Sequence, residues 1–118
     1  MSVLELVRWQ WSGYPKYHHS RVNLLIHIVA VPLFLVGNVG LVAALVERSV
    51  VVGALSLSAI VVSVALQGRG HRHEYFPPEP FTSPMNAISR ILLEQWVTFP
   101  RFVFSGGWLR ALRQIAQP

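Results

Sequence analysis

The sequence contains no cysteine and no aspartate, and it has few charged residues of any kind. Without cysteine, disulfides and thiolate metal ligands are excluded. Without aspartate, no Ser/His/Asp triad can form. Only 13% of the 118 residues are charged, against about 25% in soluble domains. The length predicts a single domain, residues 1–118, and the composition predicts that much of it avoids water.

The scarcity of charge is concentrated in two runs. Residues 22–46 carry no charge besides whatever His27 holds, and residues 49–66 carry none. As helices these runs would be about 37 Å and 27 Å long, and the hydrocarbon core of a bilayer is about 30 Å thick. A soluble bundle of this size has too little other chain to cover two helices that are apolar all round. We therefore predict an all-α fold, a small integral membrane helical bundle built on a hairpin of two membrane helices.

The hairpin has predictable limits. Its first helix is expected at about residues 20–46, and its second begins near residue 50, reaches residue 66 and continues toward Glu74. Glu47 and Arg48 form the tip between them. The pattern thus predicts a tight reversal with both free ends of the hairpin on one side.

The remaining segments are shorter and more polar. Residues 2–11 are predicted to form an interfacial amphipathic helix that ends at Gly13 and Pro15. A third helix is expected from Pro84 to about Phe99, with Ser83 as its N-cap; it would be interfacial or packed on the pair. Residues 108–116 are expected to form a last short helix.

The positive charges predict an orientation. Of the ten basic residues, only Arg48 lies at the tip. By the positive-inside rule, both termini would face the cytosol, in a bacterial inner membrane or the endoplasmic reticulum. The net charge of +5 is dispersed, which favours anionic membrane lipids as partners and disfavours nucleic acid. The oligomeric state stays open, and a homo-oligomer is allowed.

The five histidines fall at only two places, residues 18–27 and residues 71–73. His27 precedes the tip by 20 residues and His71 follows it by 23, so both would lie at similar depth. Antiparallel helices pack about 8–10 Å apart, and imidazoles reaching from both can meet. An ionisable residue inside an apolar helix, such as His27, usually marks a site or a pairing partner. The histidine end of the hairpin is therefore a candidate metal site, predicted to face the cytosol.

Each part of this cluster also has a simpler explanation. His18 and His19 could be ordinary interfacial residues, and the run 71–74 (HRHE) could be a solvated helix end. Imidazoles without thiolates suit Fe(II) or Zn(II). Glu74, the only carboxylate expected nearby, could be a ligand, a hydrogen-bond acceptor or a general base. The role of His73 is left open.

Two motifs resemble a known family. Residues 17–27 (YHHSRVNLLIH), closing on Val31-Pro32, contain His, four residues, Asn, three residues and His. Residues 67–71 (QGRGH) contain Gln, two residues and Gly-His, with a carboxylate shortly after. In this order and spacing they resemble the two signatures of the Mpo1-like family. The motifs cover about a fifth of the chain.

The resemblance implies a chemistry. Characterised members of that family are Fe(II)-dependent dioxygenases of the endoplasmic reticulum that shorten 2-hydroxy fatty acids by one carbon in alpha-oxidation. Dioxygen and a 2-hydroxy fatty acid, or a similar lipid-derived acid, would then be the substrates. The resemblance implies His18, His27 and His71 as iron ligands, with His19 as a further candidate.

The same resemblance implies supporting roles. Asn23 and Gln67 would support the ligands, each four residues before a histidine of its helix. Arg21, Arg69 or Arg72 could hold the substrate carboxylate by charge-assisted hydrogen bonds, but at least two of them are expected to anchor to lipid headgroups instead. Two alternatives remain: a zinc-dependent membrane hydrolase that uses the same histidines, and a non-catalytic helical membrane protein whose histidines serve packing, assembly or haem ligation.

Overall fold

The computed structural model describes residues 1–115, and within them it contains helices and no strands. The helices are α1 (Val3–Tyr17), α2 (Arg21–Glu47), α3 (Val50–His71), α4 (Pro84–Leu93), α5 (Phe99–Phe104) and α6 (Gly107–Ile115), with a π-helical turn (Glu94–Thr98) between α4 and α5. The predicted all-α class is confirmed.

Helices α2 and α3 form the antiparallel pair that the two apolar runs predict. The predicted limits of α2 are correct to within one residue at each end. Arg48 adopts a left-handed conformation (φ 54°, ψ 42°) that ends α2, and the Ser49 hydroxyl then caps α3 by accepting the N–H of Val52 at 3.1 Å. The chain therefore reverses within two residues.

The outer surface of the hairpin is apolar and bare. The most apolar stretches of α2 and α3 are only 28% and 17% buried, and both helices are long enough to cross a bilayer. Large side chains near the tip, such as Leu45 and Val50, are 79% and 86% exposed. The core helix of a soluble protein would be mostly covered, whereas an exposed apolar surface of this extent is typical of a membrane or protein-interaction surface.

Small residues bring the two long helices together. A Cβ atom on Gly37 would lie 2.9 Å from the carbonyl oxygen of Ser56, and one on Gly40 would collide with the Ser56 hydroxyl. About two turns nearer the histidine end, the Ser63 hydroxyl donates to the carbonyl of Ala30 across the pair. Close backbone approach at small residues is typical of helix packing in lipid.

Helix α1 is longer than predicted. It continues through Gly13 and Pro15 to Tyr17, so the expectation that it ends near residue 11 was wrong. Packing explains the difference, because Tyr14 lies in the hydrophobic core with Phe99 and Phe102. Tertiary contacts therefore outweigh the weak helix propensity of glycine and proline.

The third helical segment is also longer than predicted. Helix α4, the π-helical turn and α5 follow one another without a break from Pro84 to Phe104, whereas an end near Phe99 was expected. The predicted N-cap is confirmed, since the Ser83 hydroxyl accepts the N–H of Asn86 at 3.0 Å. This segment packs on α1 and α2.

The last helix returns the chain to the hairpin. Helix α6 covers Gly107–Ile115, close to the predicted residues 108–116, of which Ala116 lies outside the described residues. The indole N–H of Trp108 donates to the carbonyl oxygen of Leu24 at 2.9 Å. That bond fixes α6 against the histidine-bearing end of α2.

Candidate metal centre

Four side chains from four separate helical segments meet at the histidine end of the hairpin. They are His18 at the end of α1, His27 in α2, His71 at the end of α3, and Glu94 at the start of the π-helical turn. One nitrogen or oxygen atom from each lies within 4.8 Å of all the others. The predicted convergence of His18, His27 and His71 is therefore seen in the structure, together with a carboxylate.

The three imidazoles surround a common centre. Their ring centroids are 4.7 to 5.1 Å apart, and each pair of rings is close to perpendicular. Glu94 Oε2 lies 3.2 Å from His18 Nε2 and 3.7 Å from His27 Nε2. Ligand atoms about 2.1 Å from one metal ion are separated by about 3 to 4 Å. The group is thus compact enough to hold one ion.

The hydrogen bonds of two histidines determine which nitrogen faces that centre. His18 Nδ1 is 3.0 Å from the carbonyl oxygen of Tyr14, and His27 Nδ1 is 3.0 Å from that of Asn23. A carbonyl oxygen only accepts, so each Nδ1 must carry the proton. In the neutral rings, Nε2 then presents its lone pair to the centre, as in metal-binding histidines.

Several nitrogens around the centre have no hydrogen-bond partner among residues 1–115. His18 Nε2, His27 Nε2 and His71 Nδ1 are buried and make no hydrogen bond, although the first two lie 3.2 and 3.7 Å from Glu94 Oε2. Buried polar atoms without partners are uncommon in native proteins and call for an explanation such as an ion. Three imidazoles and one carboxylate, with no thiolate, fit Fe(II) or Zn(II). The residues present therefore suit the Fe(II) that the family resemblance implies, and they suit Zn(II) as well.

Glu94 is held as a carboxylate. Burial by itself would raise the pKa of this group, but the neighbouring His18 and His27 rings and the Tyr14 hydroxyl lower it to about 2. Burial and the charge of Glu94 raise the pKa of Tyr14 well above its usual value, so its hydroxyl stays protonated and donates to Glu94 Oε2 at 2.8 Å. At neutral pH Glu94 therefore enters the group as a carboxylate.

The expectation that Glu74 is the only carboxylate near the histidines was wrong, whereas the structure agrees with the hydrogen-bond acceptor role left open for it. The member of the group is Glu94. Glu74 instead accepts the backbone N–H groups of His19 and Ser20 at 3.0 to 3.2 Å and the amide of Asn23 at 2.7 Å. Its oxygens are occupied in fixing the start of α2 to the end of α3.

His19 and His73 lie outside the group. The ring of His19 is half-exposed, with its Nδ1 atom 3.1 Å from Glu74 Oε1 and 3.1 Å from the carbonyl of Lys16. His73 is exposed. Of the two neighbouring histidines in the first motif, only His18 reaches the centre.

The two amide residues that the resemblance implies as supports lie beside the group. Asn23 connects Glu74 with the carbonyl of Tyr17. Gln67 and Gln95 exchange two side-chain hydrogen bonds of 2.8 and 2.7 Å, and both are buried. Because Gln67 is one turn from His71 and Gln95 follows Glu94, this amide pair links the segments that carry those two donors.

A cleft of about 640 Å³ adjoins the group, within the size range of small-molecule sites. His18, His71 and Glu94 line it, as do apolar residues such as Trp9, Val64, Phe81 and Ile91. Of the arginines implied as substrate-binding, Arg72 lines the cleft, whereas Arg21 and Arg69 are exposed and do not line it. Two further basic residues, Lys16 and Arg90, were not anticipated there.

Arg90 is already engaged. Its guanidinium donates to the carbonyl oxygens of Pro80 and Glu79 at 3.0 and 2.8 Å and stacks over the rings of Trp9 and Phe81. It therefore holds the connector between α3 and α4 in place as a wall of the cleft. Lys16 and Arg72 are the other basic residues that line the cleft.

The fold and the group define a class: a helical protein with a long apolar hairpin and a buried three-histidine, one-glutamate centre beside a cleft. Comparisons with protein-family models, with curated proteins and with solved structures found no match to this chain.

Two glycines at the end of α3 allow a matched test of this geometry. A Cβ atom on Gly70 would collide with the side-chain oxygen of Asn23, whereas one on Gly68 would meet nothing within 4 Å. We expect Gly70→Ala to displace Asn23 and the adjacent His71, and to lower metal affinity by about tenfold or more, as loss of a supporting partner does. Gly68→Ala should leave affinity unchanged. Isothermal titration of both variants with Zn(II) measures the difference, and equal affinities would contradict the close packing at Gly70.

Proposed function

We propose that this chain is a membrane-embedded, Fe(II)-dependent dioxygenase that removes one carbon from a 2-hydroxy fatty acid or a related lipid-derived acid. The observation that carries the proposal is the meeting of three buried imidazole nitrogens with one ionised carboxylate at the end of a cleft. The two motifs that resemble the Mpo1-like family supply the choice of iron and of the 2-hydroxy acid.

The donor set supports iron. Non-haem Fe(II) oxygenases bind their metal through imidazoles and a carboxylate and leave positions open for substrate and dioxygen. Here four donors from one chain would leave such positions on an ion that accepts six. When bound, the iron would supply activation of dioxygen and coordination of the hydroxyl and carboxylate of the acid.

The reaction is balanced with dioxygen as the only oxidant. One 2-hydroxy acid and one dioxygen give carbon dioxide, water and the acid one carbon shorter. The bond between C1 and C2 breaks, C2 becomes the new carboxyl carbon, and the four electrons released reduce dioxygen. No further reductant is needed, so the protein requires no second cofactor site.

The residues of the cleft have separate tasks in this proposal. Lys16 and Arg72 attract the substrate carboxylate by charge-assisted hydrogen bonds. The apolar wall, including Val64 and Ile91, excludes water from the centre and contacts the acyl chain. Val64 belongs to α3, lines the cleft and is 39% exposed, so the acyl chain can extend from the cleft toward the lipid.

Localisation follows the same reasoning. The two long apolar helices would place the hairpin in a bilayer, with α1 and α6 at its surface. The distribution of basic residues supports a cytosolic position for both termini and for the histidine end. An acid anchored in the membrane by its acyl tail would then present its headgroup to the centre.

Oxygen uptake tests the proposed function. Purified protein in detergent is freed of metal by a chelator, reloaded with Fe(II) without oxygen, and then mixed with dioxygen and a 2-hydroxy fatty acid. We expect one dioxygen consumed per acid and a product one carbon shorter by mass spectrometry. The 3-hydroxy isomer is the control, because its hydroxyl is one carbon too far from the carboxylate to form the same chelate.

The other outcomes identify the alternatives. Copurifying zinc with ester or amide hydrolysis, and no oxygen uptake, would replace the dioxygenase by a zinc hydrolase. Absence of any stoichiometric metal would indicate a non-catalytic helical membrane protein. A haem would show itself in the visible spectrum.

A further inference from the structure

Tyr14 contacts two of the four donor side chains. Its hydroxyl donates to Glu94 Oε2 at 2.8 Å. Its ring stacks on the imidazole of His18, with centroids 3.7 Å apart and 7° between the planes. Its backbone carbonyl accepts the Nδ1 proton of His18 at 3.0 Å. Tyr14 thus restrains two candidate ligands, His18 at the end of α1 and Glu94 in the π-helical turn.

We propose that Tyr14 is a positioning residue that holds His18 and Glu94 in the orientation required to bind the metal. The inference rests on the proposed metal centre and adds to it a residue outside both sequence motifs. Tyr14 would not itself bind the ion. It would act through the two side chains that do.

The place of the Tyr14 ring is fixed independently of the metal. The ring lies against Phe99 and Phe102, with centroids 6.5 and 5.0 Å away. Helix α1 is fastened to the third helical segment by Gln10, which donates to the carbonyl of Arg90 and accepts from the hydroxyl of Thr98, both at 2.7 Å. The Tyr14 hydroxyl is therefore held beside Glu94 by contacts that do not involve the metal.

The hydroxyl acts on the oxygen that faces the centre. Glu94 Oε2 is the atom near His18 Nε2 and His27 Nε2, and the Tyr14 hydrogen bond uses one of its lone pairs. The other lone pair is then directed toward the imidazoles. Without the hydroxyl, the carboxylate is free to turn away from the imidazoles, and the ion would lose the orientation of one of its four donors.

Tyr14→Phe tests this role because it removes the hydroxyl and keeps the stacked ring. The control is Tyr17→Phe, since the Tyr17 hydroxyl lies in the same cleft and donates to a different carboxylate, Glu79, at 3.1 Å. Metal-free protein in detergent is titrated with Co(II), and the visible ligand-field bands report affinity and coordination. We expect Tyr14→Phe to bind Co(II) about 10- to 100-fold more weakly with altered bands, and Tyr17→Phe to match the original protein.

A second variant separates the two contacts. Tyr14→Leu removes the stacking on His18 as well as the hydroxyl, so its affinity should fall below that of Tyr14→Phe. If Tyr14→Phe melts at a lower temperature but keeps the original affinity and bands, Tyr14 serves only the core and the inference is overturned. If the original protein binds no Co(II), the metal centre fails and the inference fails with it.

Discussion

Replacing His27 with alanine is expected to abolish stoichiometric metal binding while leaving the helices intact. His27 is fully buried in α2, and its Nε2 atom has no hydrogen-bond partner in the part of the chain that the structure describes. Removal of a supporting partner costs about 10- to 100-fold in metal affinity, so loss of a ligand should cost at least the upper end of that range. His71→Ala should behave in the same way.

The fold should survive His27→Ala because other contacts hold α2 and α3 together. The close approach at Gly37 and the Ser63 hydrogen bond to Ala30 both lie deeper along α2 and α3. Elemental analysis of the purified variant measures the metal, and far-ultraviolet circular dichroism measures the helix content. A folded His27→Ala variant with one bound metal would remove this residue from the centre.

His19→Ala is the control for these histidine variants. The resemblance leaves His19 as a candidate ligand, but its ring lies outside the donor group, beside Glu74. We therefore expect this variant to retain its metal. Loss of metal in His19→Ala with retention in His18→Ala would reverse the assignment of the two neighbouring histidines.

The hairpin could be predicted from the sequence because its signals are local. Uninterrupted apolar composition determines that residues 22–46 and 49–66 are long helices, and the charged pair Glu47-Arg48 marks the turn. Once the turn is placed, counting residues outward brings His27 and His71 to the same depth. This reasoning needs no knowledge of side-chain packing, and so it succeeded.

The fourth donor could not be found in that way. Glu94 is 23 residues beyond His71 along the chain, past a connector that contains several prolines. Its position depends on how α4 folds back on α1, which is decided by side-chain contacts such as Gln10 with Arg90 and Tyr14 with Glu94. The available sequence signal was a glutamate one turn after Arg90 in a predicted helix, and that signal also describes a solvated helix face.

Glu74 shows the opposite error. Its proximity to His71 in the sequence suggested a role in the chemistry. The chain turns after α3, however, and the Glu74 side chain accepts the backbone N–H groups of His19 and Ser20, just before α2. Unpaired N–H groups at a helix start attract a carboxylate. These hydrogen bonds occupy both oxygens of Glu74, so another carboxylate joins the histidines.

The π-helical turn connects these observations. π-helical turns are rare in proteins, and those that occur are often found at functional sites. Within this one, Glu94 faces the imidazoles, Gln95 pairs with Gln67, and Thr98 donates to Gln10. This single irregular turn therefore supplies one donor to the centre and two buried side chains that bond to α1 and α3. A regular helical periodicity in the sequence does not predict that these three side chains make such contacts.

Glu94→Gln is expected to have an effect as large as that of the histidine variants. The substitution keeps the shape of the side chain and an oxygen that can still accept from the Tyr14 hydroxyl, but it removes the only negative charge in the donor group. A neutral amide is a weaker ligand for a divalent ion than a carboxylate. Affinity for Fe(II) should therefore fall by at least about 100-fold, beyond the usual cost of losing a supporting partner.

Glu79→Gln is the matched control for that experiment. Glu79 lines the same cleft and accepts a tyrosine hydroxyl, as Glu94 does, but it lies outside the donor group. Competition with a chelator of known affinity measures Fe(II) binding in both variants under anaerobic conditions. Equal losses in the two variants would mean that the cleft attracts the cation through its overall charge, whereas a loss confined to Glu94→Gln identifies this carboxylate as the fourth ligand.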